Sequence, residues 1–344
     1  MSVVKKNLRV RTLPWLGMLV LVALCTLAEV PGFKVTKRYS VPGNGDFDYI
    51  VFDSSANRLY VSHGTEVNVL DANSGNQLGT IENTPGVHGI AIVPNLHRGF
   101  TTNGGNSTVS VFDTNTFKTI KTFRVPKGPD FILYDPLMKR VLICHEDAAA
   151  ITVVDPEKSE VVGIISLGSG PEAAVVNGKG VGFVNLEAQS MVARFDPRAL
   201  VVKEKWPITG CKGPVPLAMD SSSERLFIGC RSKVLAVMNA NNGKVITTLP
   251  IGDTVDAVVF DPDTKTIFAS NGEGTVSVVR QKNADEYESL GSIETQKSAK
   301  TMAFDPQTKR LFLSAAEIES AGRTTPPSRK AKPGTFSVLV IERQ

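Results

Sequence analysis

The sequence predicts an all-β fold, a seven-bladed β-propeller of four-stranded antiparallel blades, and three observations predict it. Residues 86–130 hold four short apolar runs, GIAIV (89–93), RGFTT (98–102), TVSVF (108–112) and TIKTF (119–123), separated by turns rich in Pro, Asn, Gly or Asp. Such β-branched and aromatic runs read as strands, and four of them in about 42 residues make one blade. The unit recurs along the chain: aligned on Asp53, Val93, Asp135, Asn177, Asp220, Asp261 and Asp305, its copies step by 40, 42, 42, 43, 41 and 44 residues. The last copy stops after its third strand, and an orphan run, FKVTKRYSV (33–41), precedes the first. A 3+1 closure follows, in which the N-terminal strand completes the C-terminal blade and covers the edge that would otherwise stay open.

The chain begins with a different signal. Lys5, Lys6, Arg9 and Arg11 precede any acidic residue, and an apolar run follows from Leu13 to Ala28. A basic segment, an apolar segment and a small-residue end (Thr26, Ala28) read as a secretory signal peptide over 1–28, with the propeller over 29–344 and a periplasmic or secreted destination. The run is shorter than the ~20 residues that span a bilayer, which disfavours a retained anchor. Leu24 stands where a lipoprotein signal before Cys25 needs a small residue. Lys and Arg number 38 against 34 Asp and Glu. Without the four leading cations the two balance, so bulk charge gives no support for nucleic-acid binding.

Within each unit the strands keep their order. The first strands are YIVFD (49–53), GIAIVP (89–94), FILYDP (131–136), AAVVN (173–177), PLAMD (216–220), AVVFDP (257–262) and TMAFDP (301–306). The second strands mostly follow a basic residue, as in RLYVSH (58–63) and RLFIGC (225–230). The turns between first and second strands put Asp then Pro where a type I turn wants them, as in DPDTK (261–265). Asp71, Asn73 and Glu82 fall on three positions of a calcium-binding EF-hand loop, but Gly75 and Asn76 break its pattern, so DANSGN (71–76) reads as a turn. One insert interrupts the last unit: residues 317–334, with Pro326, Pro327, Pro333, Arg323, Arg329, Lys330 and Lys332, read as a flexible basic loop.

Gly-Pro before the first strand (Gly128-Pro129, Gly170-Pro171), an aliphatic run, Asp-Pro, a basic residue, a strand ending in Asn, and TVSVFD together resemble the YVTN-repeat propellers. Over residues 33–344 the chain is similar to the YncE-like family of exported seven-bladed propellers. The YVTN tetrad itself is degenerate: TTNG (101–104) and ASNG (269–272) keep its tail, while VSHG (61–64) and ICHE (143–146) carry His for Asn. The resemblance implies a periplasmic protein that binds DNA or another ligand, and no particular activity.

Propeller geometry turns the alignment into a map. Residues just before each first strand ring one mouth of the channel: Asp48, His88, Asp130, Glu172, Val215, Asp256 and Lys300. The ends of the second strands predict another ring on the same face: His63, Asn103, His145, Asn185, Cys230, Asn271 and Ala315. A concave polar mouth is the default binding site. Asp48, His88, Asp130, Glu172 and Asp256 are the residue types that hold a divalent metal, the one cofactor the sequence admits. An ordinary turn-capping role competes for each carboxylate. Of the three cysteines beyond residue 28, Cys211 and Cys230 flank the same face of unit five and are expected to pair. Cys144 is expected to be a buried thiol. Cys144 and His145, adjacent in a strand, point to opposite faces and make a poor nucleophilic pair.

No GxSxG, HExxH, CxxCH or P-loop pattern occurs. The leading expectation is therefore a non-catalytic binding scaffold, monomeric, with an unidentified ligand or protein partner at the channel mouth. A metal-dependent enzyme of the lactonase or lyase kind would use the same carboxylates and His88 to polarise a carbonyl. DNA binding is the third expectation.

Overall fold

The computed structural model describes residue 2, residues 32–43, 45–320 and 329–344; the leader expected over 1–28 lies outside the described residues, as does the centre of the insert. Seven four-stranded sheets form the blades, and each runs in order from an inner strand A to an outer strand D. Blade one is built from Phe47–Asp53, Arg58–His63, Glu66–Asp71 and Gln77–Ile81, and blade two from Val87–Val93, Arg98–Asn103, Thr108–Asp113 and Thr119–Arg124. Blade seven joins Met302–Phe304, Leu311–Ala315 and Ser337–Arg343 to Phe33–Ser40, which is its strand D. Among the described residues no helix is long and apolar enough to cross a membrane.

Burial follows strand position. Strands B and C are almost wholly buried, whereas strands D face solvent. The apolar clusters lie between blades rather than within them: Leu59 and Val61 of blade one pack with Phe312, Val338 and Val340 of blade seven. Local volume is matched in pairs. Gly99 faces Phe112 across the ladder, and a Cβ on Gly99 would sit 2.0 Å from the Phe112 ring. The bare backbone there is what admits the aromatic ring to a close-packed core.

The basic residue that opens strand B has a recurring task. Arg98 Nη1 donates to Pro156 O of the next blade at 2.9 Å, and Arg225 Nε donates to Ala284 O at 2.9 Å. Arg58 reaches Thr114 O in the same way. Arg310 closes the series, donating to Ala72 O of blade one at 3.0 Å while it pairs with the buried Asp305. Each latch gives a buried carbonyl at a turn its donor. The aspartates of the A–B turns cap their own loops: Asp135 Oδ1 accepts from Leu137 N at 2.9 Å and Asp305 Oδ1 from Gln307 N at 2.9 Å. Asp71 Oδ1 likewise accepts from the Asn73 and Ser74 amides, an Asx turn rather than a metal loop.

Closure is secured by more than the ladder. Phe33–Ser40 pairs antiparallel with Ser337–Arg343. Tyr39 then reaches out of blade seven, donates its hydroxyl to Asn73 O at 2.8 Å, and lays its ring on Gly75 of blade one. Gly75 has φ +74, and a Cβ there would fall 2.2 Å from that ring, so both the turn and the contact require glycine.

Cys211 and Cys230 are joined by a disulfide, Cα to Cα 5.6 Å, and Cys144 is a buried free thiol. Closing a loop of 19 residues restricts the unfolded chain by about 3 kcal/mol. The insert differs from the flexible loop expected of it. Its two ends pair antiparallel as a ribbon, Ile318–Ser320 against Arg329–Ala331. Arg323, Pro326 and Pro327 lie outside the described residues.

Candidate functional site at the channel mouth

Four residues of the ring predicted before the first strands line one cavity. Its volume is about 520 Å³, and Asp48, His88, Asp256 and Lys300 line it together with Ile318 and Ala331 from the ribbon of the insert. His88 Nδ1 lies 2.7 Å from Asp48 Oδ2 and 3.7 Å from Asp130 Oδ1. Lys300 Nζ lies 3.6 Å from Asp48 Oδ1 and 3.8 Å from Asp256 Oδ2. Asp48, His88 and Asp130 each offer one atom within 4.8 Å of the other two. Of the five residues expected from the sequence to hold a metal, Glu172 and Asp256 stand outside that trio. Blade geometry separates them: Asp256 meets Lys300, and Glu172 sits beside Glu187, itself paired with Arg231. Val215 lines the apolar channel below and brings no charge.

Below the mouth lies a second cavity of about 230 Å³, walled by Tyr49, Ile90, Phe131, Ile132 and Val258. Tyr49 and Phe131 meet edge to face at 5.7 Å. Asp256 borders both cavities. The mouth is thus a cluster of charge set over an apolar floor, where interactions between charges are stronger than in water.

The electrostatics record that crowding. Burial pushes the Asp130 carboxyl up to about 7, and the Asp48 charge adds to the shift. Burial pushes Glu172 up to about 9, helped by the neighbouring Glu187. Asp256 is raised, again chiefly by burial. The hydrogen bond that His88 donates to Asp48 raises the imidazole against the opposing effect of burial. Burial pulls the Lys300 ammonium down, but Asp48 and Asp256 outweigh it and hold the group above its ordinary value. Carboxylates crowded in low dielectric prefer a proton or a cation beside them.

The second predicted ring does not line the mouth. His63, Asn103, His145, Asn185 and Asn271 are all buried, as are Cys230 and Ala315. The end of strand B is covered by strand A of its own and the following blade, so these positions are structural. Asn103 Nδ2 donates to Thr108 Oγ1 at 3.0 Å and Ser110 Oγ at 2.9 Å, and Asn271 repeats this with Thr275 and Ser277, both at 3.0 Å. Asn185 Nδ2 donates to Val215 O and Pro216 O of blade five, both at 3.1 Å. His63 Nδ1 lies 3.2 Å from Pro42 O and packs on Phe336. His145 is buried at the equivalent position of blade three, beside the Pro126 backbone.

The sequence reading missed the residues that hold the mouth in place. Thr102 Oγ1 accepts from Gly89 N at 2.7 Å and donates to Asp130 O at 2.5 Å, fixing the backbone on either side of two mouth positions. Thr301 donates to Asp48 O and Ser270 to Lys300 O. A signal was present: Ser62, Thr102 and Ser270 occupy one aligned position, immediately before the buried ring. Arg231 and Glu187 were also missed; they lie one and two residues beyond the aligned ends of their B strands.

No known protein-family model matches the chain, and no curated protein matches it either. Solved structures do. The WD40 repeats of RRP9 superpose with a TM-score of 0.78 at 9% identity, over 92% of this chain and 100% of that one. U3-55K gives 0.77 at 10% identity, over 91% and 99%. Hydrazine synthase of Kuenenia stuttgartiensis gives 0.70 at 16% identity, over 86% and 98%. At these identities the likeness is one of fold alone, a seven-bladed propeller, and fold does not by itself assign a function.

Proposed function

We propose that this protein is a non-catalytic, exported binding propeller that receives a positively charged ligand, or a positively charged group of a protein partner, at its channel mouth. The observation that carries this reading is the surplus of carboxyl groups in a partly buried cavity. Asp48, Asp130 and Asp256 crowd about His88 and Lys300, with Glu172 and Glu187 beside Arg231, and burial holds Asp130 and Glu172 raised although His88 opposes the shift at Asp130. The Cys211–Cys230 bridge supports export, since such bridges persist in oxidising compartments. The repeat motifs support kinship with YVTN-type exported propellers, and the closed ring supports a monomer. A mouth rich in carboxylates repels phosphate, so DNA is not the ligand this geometry fits.

A thermal-shift panel tests the reading. Alkylammonium ions and divalent cations are expected to raise the melting temperature. Dicarboxylates and duplex DNA are expected to leave it unchanged, and the paired change Asp48→Asn with Asp256→Asn is expected to remove most of the cation response. Stabilisation by dicarboxylates, or tight DNA binding with a steep loss in salt, would contradict the assignment.

A further inference from the structure

We propose that Asp48, His88 and Asp130 form a binding site for a single divalent transition-metal ion, of the Zn²⁺ or Mn²⁺ class, with open coordination positions facing the mouth cavity. This rests on the reading of the mouth as a cation receptor and specifies its ligand. One imidazole nitrogen and two carboxylate oxygens, with their donor atoms within 4.8 Å of one another, suit a borderline ion better than Ca²⁺, which takes six to eight oxygens. Three protein ligands leave room for water or a further ligand, the arrangement of an open site.

Two further observations point to an ion. The Asp130 oxygen that faces His88 Nδ1 is buried and accepts no hydrogen bond. An orphaned buried acceptor is a deficit that a bound cation removes. The His88 ring is also held in a fitted cradle. A Cβ on Gly104 would lie 2.7 Å from His88 Nε2, so only glycine there lets the ring stand with Nδ1 turned toward the two carboxylates. Charge agrees with geometry. Three carboxyl groups, Asp48, Asp130 and Asp256, share one ammonium, Lys300, which reaches Asp48 at 3.6 Å and Asp256 at 3.8 Å. Lys300, 3.6 Å from Asp48, is then the ion's competitor rather than its ligand.

The full chain, stripped with chelator, is titrated calorimetrically with ZnCl₂, MnCl₂ and CaCl₂, and bound metal is counted by mass spectrometry. The expected result is one Zn²⁺ or Mn²⁺ per chain, bound more tightly than Ca²⁺. Affinity should fall more than about 10-fold in His88→Ala and in Asp130→Asn, and rise in Lys300→Met, a change that mere structural damage would not produce. Absence of binding, or binding indifferent to His88→Ala and Asp130→Asn, overturns the metal site. In that event a surviving alkylammonium response, still lost in the Asp48→Asn, Asp256→Asn variant, leaves the wider cation reading standing; loss of both responses removes both.

Discussion

A chain truncated to begin at Gly43 is expected to lose its cooperative fold and to aggregate. The truncation removes strand D of blade seven, whose seven residue pairs with Ser337–Arg343 close the ring. It also removes Tyr39 and Val41, both buried between blades seven and one. Each such side chain contributes about 1.5–3 kcal/mol by burial, and the Tyr39 hydroxyl adds its bond to Asn73 O. The sum approaches the roughly 5–15 kcal/mol that stabilises an ordinary domain. What remains is worse than a loss of contacts, because Ser337–Arg343 becomes an open edge next to buried aliphatic residues, a template for pairing with other chains. Size-exclusion chromatography and a thermal melt check this against a chain that begins at Gly32. A truncated protein that stays monomeric and melts within about 3 °C of the longer chain would contradict the closure as the source of stability.

His145→Asn is expected to abolish a loss of stability in mild acid. His145 is fully buried and burial lowers its pKa to about 4, against 6.5 for the free side chain. Between these values the unfolded chain binds the proton and the folded chain does not. Stability from this residue is therefore complete above about pH 6.5 and is lost as pH falls toward 4, by about 3 kcal/mol in all. Asp130 and Glu172 act in the opposite sense: their folded carboxyls are raised, so the folded chain holds the extra protons and gains stability as pH falls through about 7 and about 9 respectively. The difference between the two proteins isolates His145 from these groups. The repeat also says what asparagine would do there. Thr152 sits where Ser110 and Ser277 accept from Asn103 and Asn271, and its hydroxyl has no partner beside His145. The amide of the substituted side chain can supply that bond. Denaturant melts at about pH 7.5 and pH 4.5 should show the wild-type chain losing roughly 2–3 kcal/mol more than the variant. Equal losses would mean that His145 is hydrated or paired in the folded chain.

The difference between His145 and His88 shows what the sequence could and could not convey. Repeat alignment gives each residue an address: blade, strand and end. It therefore found the seven blades, the strand that closes them and the Cys211–Cys230 pair within one blade, and it put Asp48, His88, Asp256 and Lys300 at one end of the channel, where they line one cavity. Depth is another matter. His63, His145 and the aligned asparagines stand at the same end of the blade as His88, yet the neighbouring blade covers them, and strand periodicity does not encode that cover. Nor did alignment show that Thr102 would hold the backbone beside both His88 and Asp130, because its partners belong to two different blades. The ribbon of the insert was hidden for a simpler reason. Three-residue strands beside Pro333 and a run of cations carry too little pattern to be read as strands.

The mouth is where fold and chemistry meet: blade symmetry delivers one residue from each inner strand, and the unequal choice of those residues brings Asp48, His88 and Asp130 together with one Asp130 oxygen unpaired. Anomalous X-ray diffraction from crystals of the full chain soaked in ZnCl₂ tests this most directly. The account predicts a single anomalous peak in contact with Asp48, His88 Nδ1 and the inward oxygen of Asp130, absent from crystals of His88→Ala. A peak bound elsewhere, or none at the mouth when surface histidines such as His97 are occupied, would contradict it.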